Sequence, residues 1–217
     1  MTPGPHPIAH PIAHPILGPG FVLASQSASR KAMLVAAGLQ FEAVAADIDE
    51  RAIEREMNGA PADEVAQALA TAKAMAVSAQ HADRLVLGSD SLVEVAGRRF
   101  DKPADRAQAA EHLRFFAGKA MHLHSAASLT RGNRVLWVGH DRAVLHVRIF
   151  DDAFIEAYLD AEWPAIAACA GGFRIEARGV HLFDRIIGDR FTILGMPLLH
   201  VLEALRTVDG GIQADQA

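Results

Sequence analysis

Short apolar runs that stop at polar residues alternate along this chain with longer stretches of helical spacing. The first run, residues 21–24, is short enough for one buried strand. Ser25, Ser27 and Ser29 follow, then Arg30 and Lys31, and Met33, Leu34 and Ala37 recur at helical spacing up to Gly38. This predicts a strand, a serine-rich turn and a helix with its stop. Residues 41–45 predict a second short strand leading into an acidic turn, Asp47-Ile48-Asp49-Glu50-Arg51. Pro61 and Asp63 open a long helix to about Ala79, with Val65, Leu69, Ala72 and Ala76 as its apolar stripe and Lys73 at the edge of that stripe. Residues 85–88 predict a strand ending in Ser89-Asp90-Ser91, and residues 93–95 and 98–100 flank Ala96-Gly97 as a hairpin.

Beyond Asp101-Lys102-Pro103, Asp105 begins a helix with Ala109, Leu113 and Phe116 on one face and Gly118 at its end. Two long strands fill residues 119–149 around Arg131-Gly132-Asn133. In the second, Val144, His146 and Arg148 alternate with Leu145, Val147 and Ile149, as in a sheet with two unlike faces. Asp151 caps a helix ending near Trp163-Pro164, Ala170-Gly171-Gly172 makes a tight turn, residues 182–187 form a further strand, and Gly195-Met196-Pro197-Leu198 starts the last helix. Strands and helices alternate first and long antiparallel strands come later, which predicts one α/β domain over residues 21–208 with a mixed, twisted sheet and flanking helices. The polar residues 209–217 read as a flexible tail. Residues 1–20 repeat H-P-I-A and hold six prolines. Repeated proline prevents helix, so a disordered Pro/His-rich extension without a chemical role is expected there.

Composition narrows the function classes. Of 217 residues, 51% are hydrophobic, enough for a sizeable core, and the net charge of −5 offers no global field for nucleic acid or an anionic membrane. Cys169 is the one cysteine, so no intrachain disulfide framework exists. No window approaches the roughly 18 uninterrupted apolar residues of a membrane span. A soluble, cytoplasmic protein is expected, with neither nucleic acid nor membrane as partner and with a homodimer left open.

Candidate chemistry gathers after strands and at turns, where α/β sheets usually bind ligands. The serine turn offers hydroxyls and free N–H groups at a positive helix end, beside Arg30 and Lys31, which suits a phosphate. Cations in a first helical turn oppose the macrodipole, and a bound anion would offset that cost. Hard carboxylate oxygens from Glu50 and Asp90 suit Mg²⁺, with Mn²⁺ as the alternative, because Mg²⁺ binds through one or two carboxylates plus substrate phosphates. Lysines would neutralise charge growing in a transition state. Metal-assisted phosphoanhydride hydrolysis is the natural class. Zinc is disfavoured: no H-E-x-x-H occurs, Cys169 has no C-x-x-C partner, and His122 and His124, sharing a sheet face, lack a third ligand. Neither a P-loop nor a Rossmann fingerprint is present.

These motifs together resemble the Maf family of nucleoside triphosphate pyrophosphatases, from about Phe21 to Arg206. L-A-S-Q-S-A-S-R-K resembles its signature L-A-S-x-S-x-x-R-R; D-I-D-E at residues 47–50, G-S-D-S at 88–91 and D-K-P at 101–103 match its acidic turn, its aspartate motif and its x-K-P. A-G-G-F-R-I-E at 170–176 and L-G-M-P-L at 194–198 match its closing motifs. The resemblance implies a mixed α/β fold with a deep central cleft, akin to inosine triphosphatases, a divalent metal, and hydrolysis of a nucleotide to its monophosphate and pyrophosphate. It implies that Ser25, Arg30 and Lys31 hold phosphates, that Glu50 and Asp90 bind metal or position water with Asp90 as general base, and that Lys73 and Lys102 stabilise charge. C-A-G-x-F-x-x-E followed by L-F-x-R resembles the branch acting on 7-methyl-GTP, where Glu176 could accept from N1–H and N2–H of the cationic base. Members acting on dTTP or UTP carry K-A-G and a glutamine there. A nucleotide-binding regulator of septum formation with incidental catalysis is the remaining alternative. Ala28, Lys31, Ser91, Ser125 and Ala177 depart from the family pattern.

Overall fold

In a computed structural model describing residues 20–214, the apolar runs become strands of one seven-stranded mixed sheet. The strands are β1 (Phe21–Ala24), β2 (Phe41–Ala43), β3 (Leu85–Val95), β4 (Arg98–Phe100), β5 (Ala120–Arg131), β6 (Arg134–Val147) and β7 (Phe183–Ile187). Their order is β2-β1-β3-β5-β6-β7, with β4 paired to β3. β1 runs parallel to β2 and β3, and the remaining pairs are antiparallel. The helices are α1 (Ala28–Ala36), α2 (Glu50–Glu56), α3 (Ala62–Ser78), α4 (Arg106–Phe116), α5 (Asp152–Glu162), the single turn α6 (Arg190–Ile193) and α7 (Leu198–Ala214). Asp105 and Asp151 cap α4 and α5, as expected, by accepting from Gln108 and Phe154 N–H at 2.8 and 2.9 Å.

Side-chain alternation along β3 organises the packing. Leu85 and Leu87 join Leu23, Leu34 and Val201 on the face covered by α1 and α7. Val86 faces the other way, onto Val22, Ala74 and Val77 of β1 and α3. Farther along, Val93 and Val95 join Leu113, Phe116, Leu145 and Leu159 beneath α4 and α5. One face of β3 therefore carries an apolar core at each end, with Ser89 and Ser91 between them.

The structure differs from the sequence pattern at informative points. β3 is one continuous strand of eleven residues, all paired with β5, so Asp90 lies inside a strand and not after its end. Backbone pairing to β5 carries the strand through Ser89-Asp90-Ser91, which lack apolar character. The acidic turn becomes a helix start: Asp49 accepts from Ala52 N–H (2.9 Å), and Glu50 is the first residue of α2. The buried face of α3 is Val65, Ala66, Leu69, Ala70, Ala74 and Val77, while Ala72 and Ala76 are only half-buried. Lys73 thus lies on the buried face, four residues from both Leu69 and Val77, with a side chain 11% exposed. Ile149 lies beyond the end of β6 and is exposed. α7 continues to Ala214, farther than the polar composition after Gly210 suggests. Of the Pro/His-rich extension, residues 1–19 lie outside the described residues, as do residues 215–217. No helix among the described residues is long and apolar enough to cross a membrane.

Candidate active site

The site grows out of an interruption in the sheet. β1 pairs with β3 as far as Ala24 opposite Gly88, and β4 begins only at Phe100 opposite Val93. Between them, residues 89–92 pair with β5 on one edge and have no strand on the other. This gap opens where the parallel strands end, the place at which α/β sheets leave a crevice.

On the Ser89/Ser91 face the gap is bridged by Arg30. Its Nε donates to Gly195 O (2.8 Å), Nη1 to Ser89 O (2.8 Å) and Ser25 Oγ (3.3 Å), and Nη2 to Ser91 Oγ (3.0 Å). Arg30 is 9% exposed, and four of the five guanidinium donors have protein partners. Burial pushes its pKa down, opposed by the Asp90 and then the Glu50 carboxylate, so the cation lies within the field of both acids. Backbone carbonyls thus meet the cation in the first turn of α1. Ser25 is likewise engaged, accepting from Ser27 N–H at 3.2 Å as well as from Arg30. Lys31 has no ion pair among the described residues.

Asp90 points to the opposite face, under α3. There Lys73 Nζ lies 2.5 Å from Asp90 Oδ1 and 2.9 Å from Glu50 Oε1. The structure therefore brings Glu50, Lys73 and Asp90, distant in sequence, into one cluster beside Arg30. Asp90 is 7% exposed, and its Oδ2 carries no hydrogen bond among the described residues. Gly88 makes this approach possible: a Cβ there would stand 2.1 Å from Ala70 O and 2.7 Å from Ala74 N of α3.

Among the described residues, no hydrogen bond or ion pair joins Lys102 or Glu176 to this cluster. Both act electrostatically on Cys169: burial pushes its thiol up, Glu176 adds to that shift, and Arg174 and then Lys102 oppose it. The loop carrying Cys169, Arg174 and Glu176 is pinned to α5. Arg174 donates twice to Glu162 Oε2, at 3.0 and 2.9 Å, and the Glu162 side chain is 4% exposed. Tyr158 Oη donates to Gly172 O (3.1 Å), and burial pushes the phenol pKa up.

The sequence pattern does not signal the hydrogen-bonded chain behind Arg30. Ser91 Oγ also donates to Gly195 O (2.9 Å) and lies 3.0 Å from Ser125 Oγ; Ser125 Oγ donates to Thr192 O (2.7 Å), and Thr192 Oγ1 to Asp141 Oδ2 (2.6 Å). Gly195 stands within the L-G-M-P-L motif, but Asp141 reads as one more polar position in an alternating strand. Replacing Thr192 by valine keeps the shape and removes the hydroxyl donor to Asp141. A stability loss of about 1–2 kcal/mol in urea unfolding is expected.

The donor chemistry can be tested against a divalent cation. Glu50 and Asp90 supply the hard oxygens that Mg²⁺ or Mn²⁺ prefers. No group of three or more His, Cys, Asp or Glu among the described residues could hold a metal by itself. An ion on this pair would have to complete its coordination with water and phosphate oxygens, which is the habit of Mg²⁺. His122 and His124 share a face with ring centroids 6.5 Å apart, and no third ligand joins them.

A mixed α/β sheet opened at β3, with two acids on one lysine and a serine turn holding a buried arginine, suits charge-rich phosphate chemistry, and the family and relatives that match the chain make its class a hydrolase of phosphoanhydride bonds. The Maf-like protein profile matches residues 20–208, and the chain belongs to that family. A nucleoside triphosphate pyrophosphatase of Rhodopseudomonas palustris strain HaA2 is 46% identical over 192 residues, 88% of this chain and 95% of that protein. A 7-methyl-GTP pyrophosphatase of Rhizobium meliloti is 44% identical over 198 residues, 90% of this chain and 99% of its own. Among solved structures, a HAM1 protein from Coxiella burnetii matches with a TM-score of 0.37 and 17% identity, over 59% of this chain and 72% of that one, too slight a likeness to build on.

Proposed function

We propose that this protein hydrolyses a nucleoside triphosphate to its monophosphate and pyrophosphate at the gap beside β3, with a cationic modified purine such as 7-methyl-GTP as the preferred substrate. The reading is carried by one observation: Lys73 Nζ bridges Glu50 and Asp90 where the sheet is interrupted. In this reading Asp90 Oδ2, free of other bonds, takes the proton of the attacking water, while Lys73 holds Oδ1 and fixes the carboxylate's orientation. Lys31, unpaired at the start of α1, and Lys102, exposed beyond β4, meet the phosphate chain. Arg30 acts mainly by holding the serine turn against β3 and Gly195, with one N–H left for substrate. A Mg²⁺ or Mn²⁺ ion held by Glu50 and Asp90 would supply Lewis-acid neutralisation of the phosphate charge. With nucleotides as substrates, the place of action is the cytoplasm.

Support for the base preference is chemical. Glu176 forms no ion pair among the described residues and lies in the loop that α5 holds through Glu162 and Arg174. A carboxylate suits a purine that carries positive charge and two donors; an amide suits an imide edge better. The similarity to the Rhizobium 7-methyl-GTP pyrophosphatase agrees with this choice. The test is a panel of normal and modified nucleoside triphosphates with Mg²⁺ or Mn²⁺, scored by pyrophosphate release. In that panel Glu176→Gln should move the ratio of 7-methyl-GTP to dTTP turnover by about tenfold toward dTTP, the scale of one hydrogen-bonding partner. An unchanged ratio removes Glu176 from base recognition.

A further inference from the structure

α2 is the most weakly anchored element of the site. It has no fully buried residue, and only Ile53 and Met57 pack, partly buried, beside the start of α3. Yet its first residue is Glu50. On the other flank of the gap, residues 101–104, which carry Lys102, belong to no helix or strand. One contact ties these flanks together: Arg51 Nη2 donates to Asp101 Oδ2 at 2.7 Å, while Arg51 Nη1 donates to Glu54 Oε2 at 2.9 Å and steadies the guanidinium from within α2. Each partner in this bridge adjoins a residue of the site, Arg51 next to Glu50 and Asp101 next to Lys102.

We propose that Arg51 and Asp101 are positioning residues, an ionic clasp across the gap that sets Glu50 on α2 against Lys102 beyond β4. The proposal rests on the reading of the gap as the triphosphate site. Both side chains are largely exposed, 65% and 57%, so the bridge contributes little to global stability. Its effect falls instead on geometry, because a small displacement of a group that must meet the substrate costs rate steeply. The two flanks belong to different parts of the fold, α2 following β2 and residues 101–104 following β4, and no other ion pair or side-chain hydrogen bond connects them among the described residues.

A double-mutant cycle in the full-length protein tests this. Arg51→Ala and Asp101→Ala should each lower kcat/KM by about fivefold, and the double variant should be no worse than either single one. Arg51→Asp combined with Asp101→Arg should recover most of the loss. All variants should unfold within about 2 °C of the wild type, since exposed pairs are worth little. The wild-type advantage over Arg51→Ala should shrink toward unity in 1 M NaCl, where the Debye length is about 3 Å. Arg106→Ala serves as control: it removes exposed bridges from α4 to Glu156 and Asp160 of α5 (2.7 and 2.6 Å) and should leave turnover unchanged. Losses that multiply in the double variant, or wild-type kcat/KM in Arg51→Ala, overturn the clasp. Amide hydrogen exchange over residues 50–56 supplies an activity-independent arm. Faster exchange in Arg51→Ala and in Asp101→Ala supports the clasp, and unchanged exchange overturns it. If no nucleotide is turned over by the wild type, the functional reading fails, and the exchange result still decides whether the two flanks are tied.

Discussion

Asp90→Asn is expected to lower pyrophosphate release by about a thousandfold, the scale of losing a positioned general base. Asparagine has nearly the shape of aspartate, and its carbonyl oxygen can still accept from Lys73 Nζ. What disappears is the second carboxylate oxygen, Oδ2, which in the native site has no hydrogen bond among the described residues and is the atom available to a water proton. The fold should persist, because Asp90 sits in the middle of β3 with β5 paired along its whole length, and Lys73 retains Glu50 at 2.9 Å. The measurement is initial-rate pyrophosphate release at saturating nucleotide and divalent metal, alongside a thermal melt. A variant that turns over at the wild-type rate would remove Asp90 from the chemistry, and one that fails to fold would show that its role is architectural.

The second large effect is on stability. Gly88→Ala should destabilise the protein by at least about 3 kcal/mol, at the upper end of what overpacking costs. The added methyl would stand 2.1 Å from the Ala70 carbonyl and 2.7 Å from the Ala74 amide, both backbone atoms of α3 that cannot rotate aside. Relief requires the helix to move off the sheet, and α3 buries eight residues along that face. Roughly 2 kcal/mol of apolar stabilisation stands behind each large side chain such as Leu69 or Val65, so the helix resists the shift. Lys73 lies in the same segment, and any displacement lengthens its pairs to Asp90 and Glu50. Urea unfolding gives the stability loss. A folded Gly88→Ala protein with native stability would show that α3 does not sit as close to β3 as the geometry states.

Part of the framework around the candidate site was legible in the chain. Asp105 and Asp151 announce helix starts because a short side chain with an oxygen is what an unpaired helical N–H group needs, and each caps as its position suggests. Asp49 caps α2 in the same way, but its acidic surroundings read only as a turn. Lys73 is the clearest case in which a local reading misleads. A lysine beside an apolar stripe is ordinarily a rim residue with its ammonium in water. Here the stripe itself is displaced toward Ala70, Ala74 and Val77, and the ammonium is buried because two carboxylates from β3 and α2 meet it. Nothing in the spacing of α3 could disclose partners 17 and 23 residues away. Arg30 is the converse: the helix-dipole argument looks only to an anion for this cation, and the structure adds partners it could not disclose, the carbonyls of Ser89 and Gly195.

By itself the sequence determined most of the strands and longer helices, the mixed character of the sheet and the candidates for phosphate chemistry, because these follow from side-chain period, capping chemistry and charge, all properties of neighbouring residues; the short helices α2 and α6 were not among them. Only the tertiary structure decided which of those residues come together. Glu50, Lys73 and Asp90 form one group because β3 continues past the end of β1, Gly88 lets α3 settle onto it, and α2 folds back beside it. Each of those events is a packing outcome, set by distances between segments that the linear pattern does not contain.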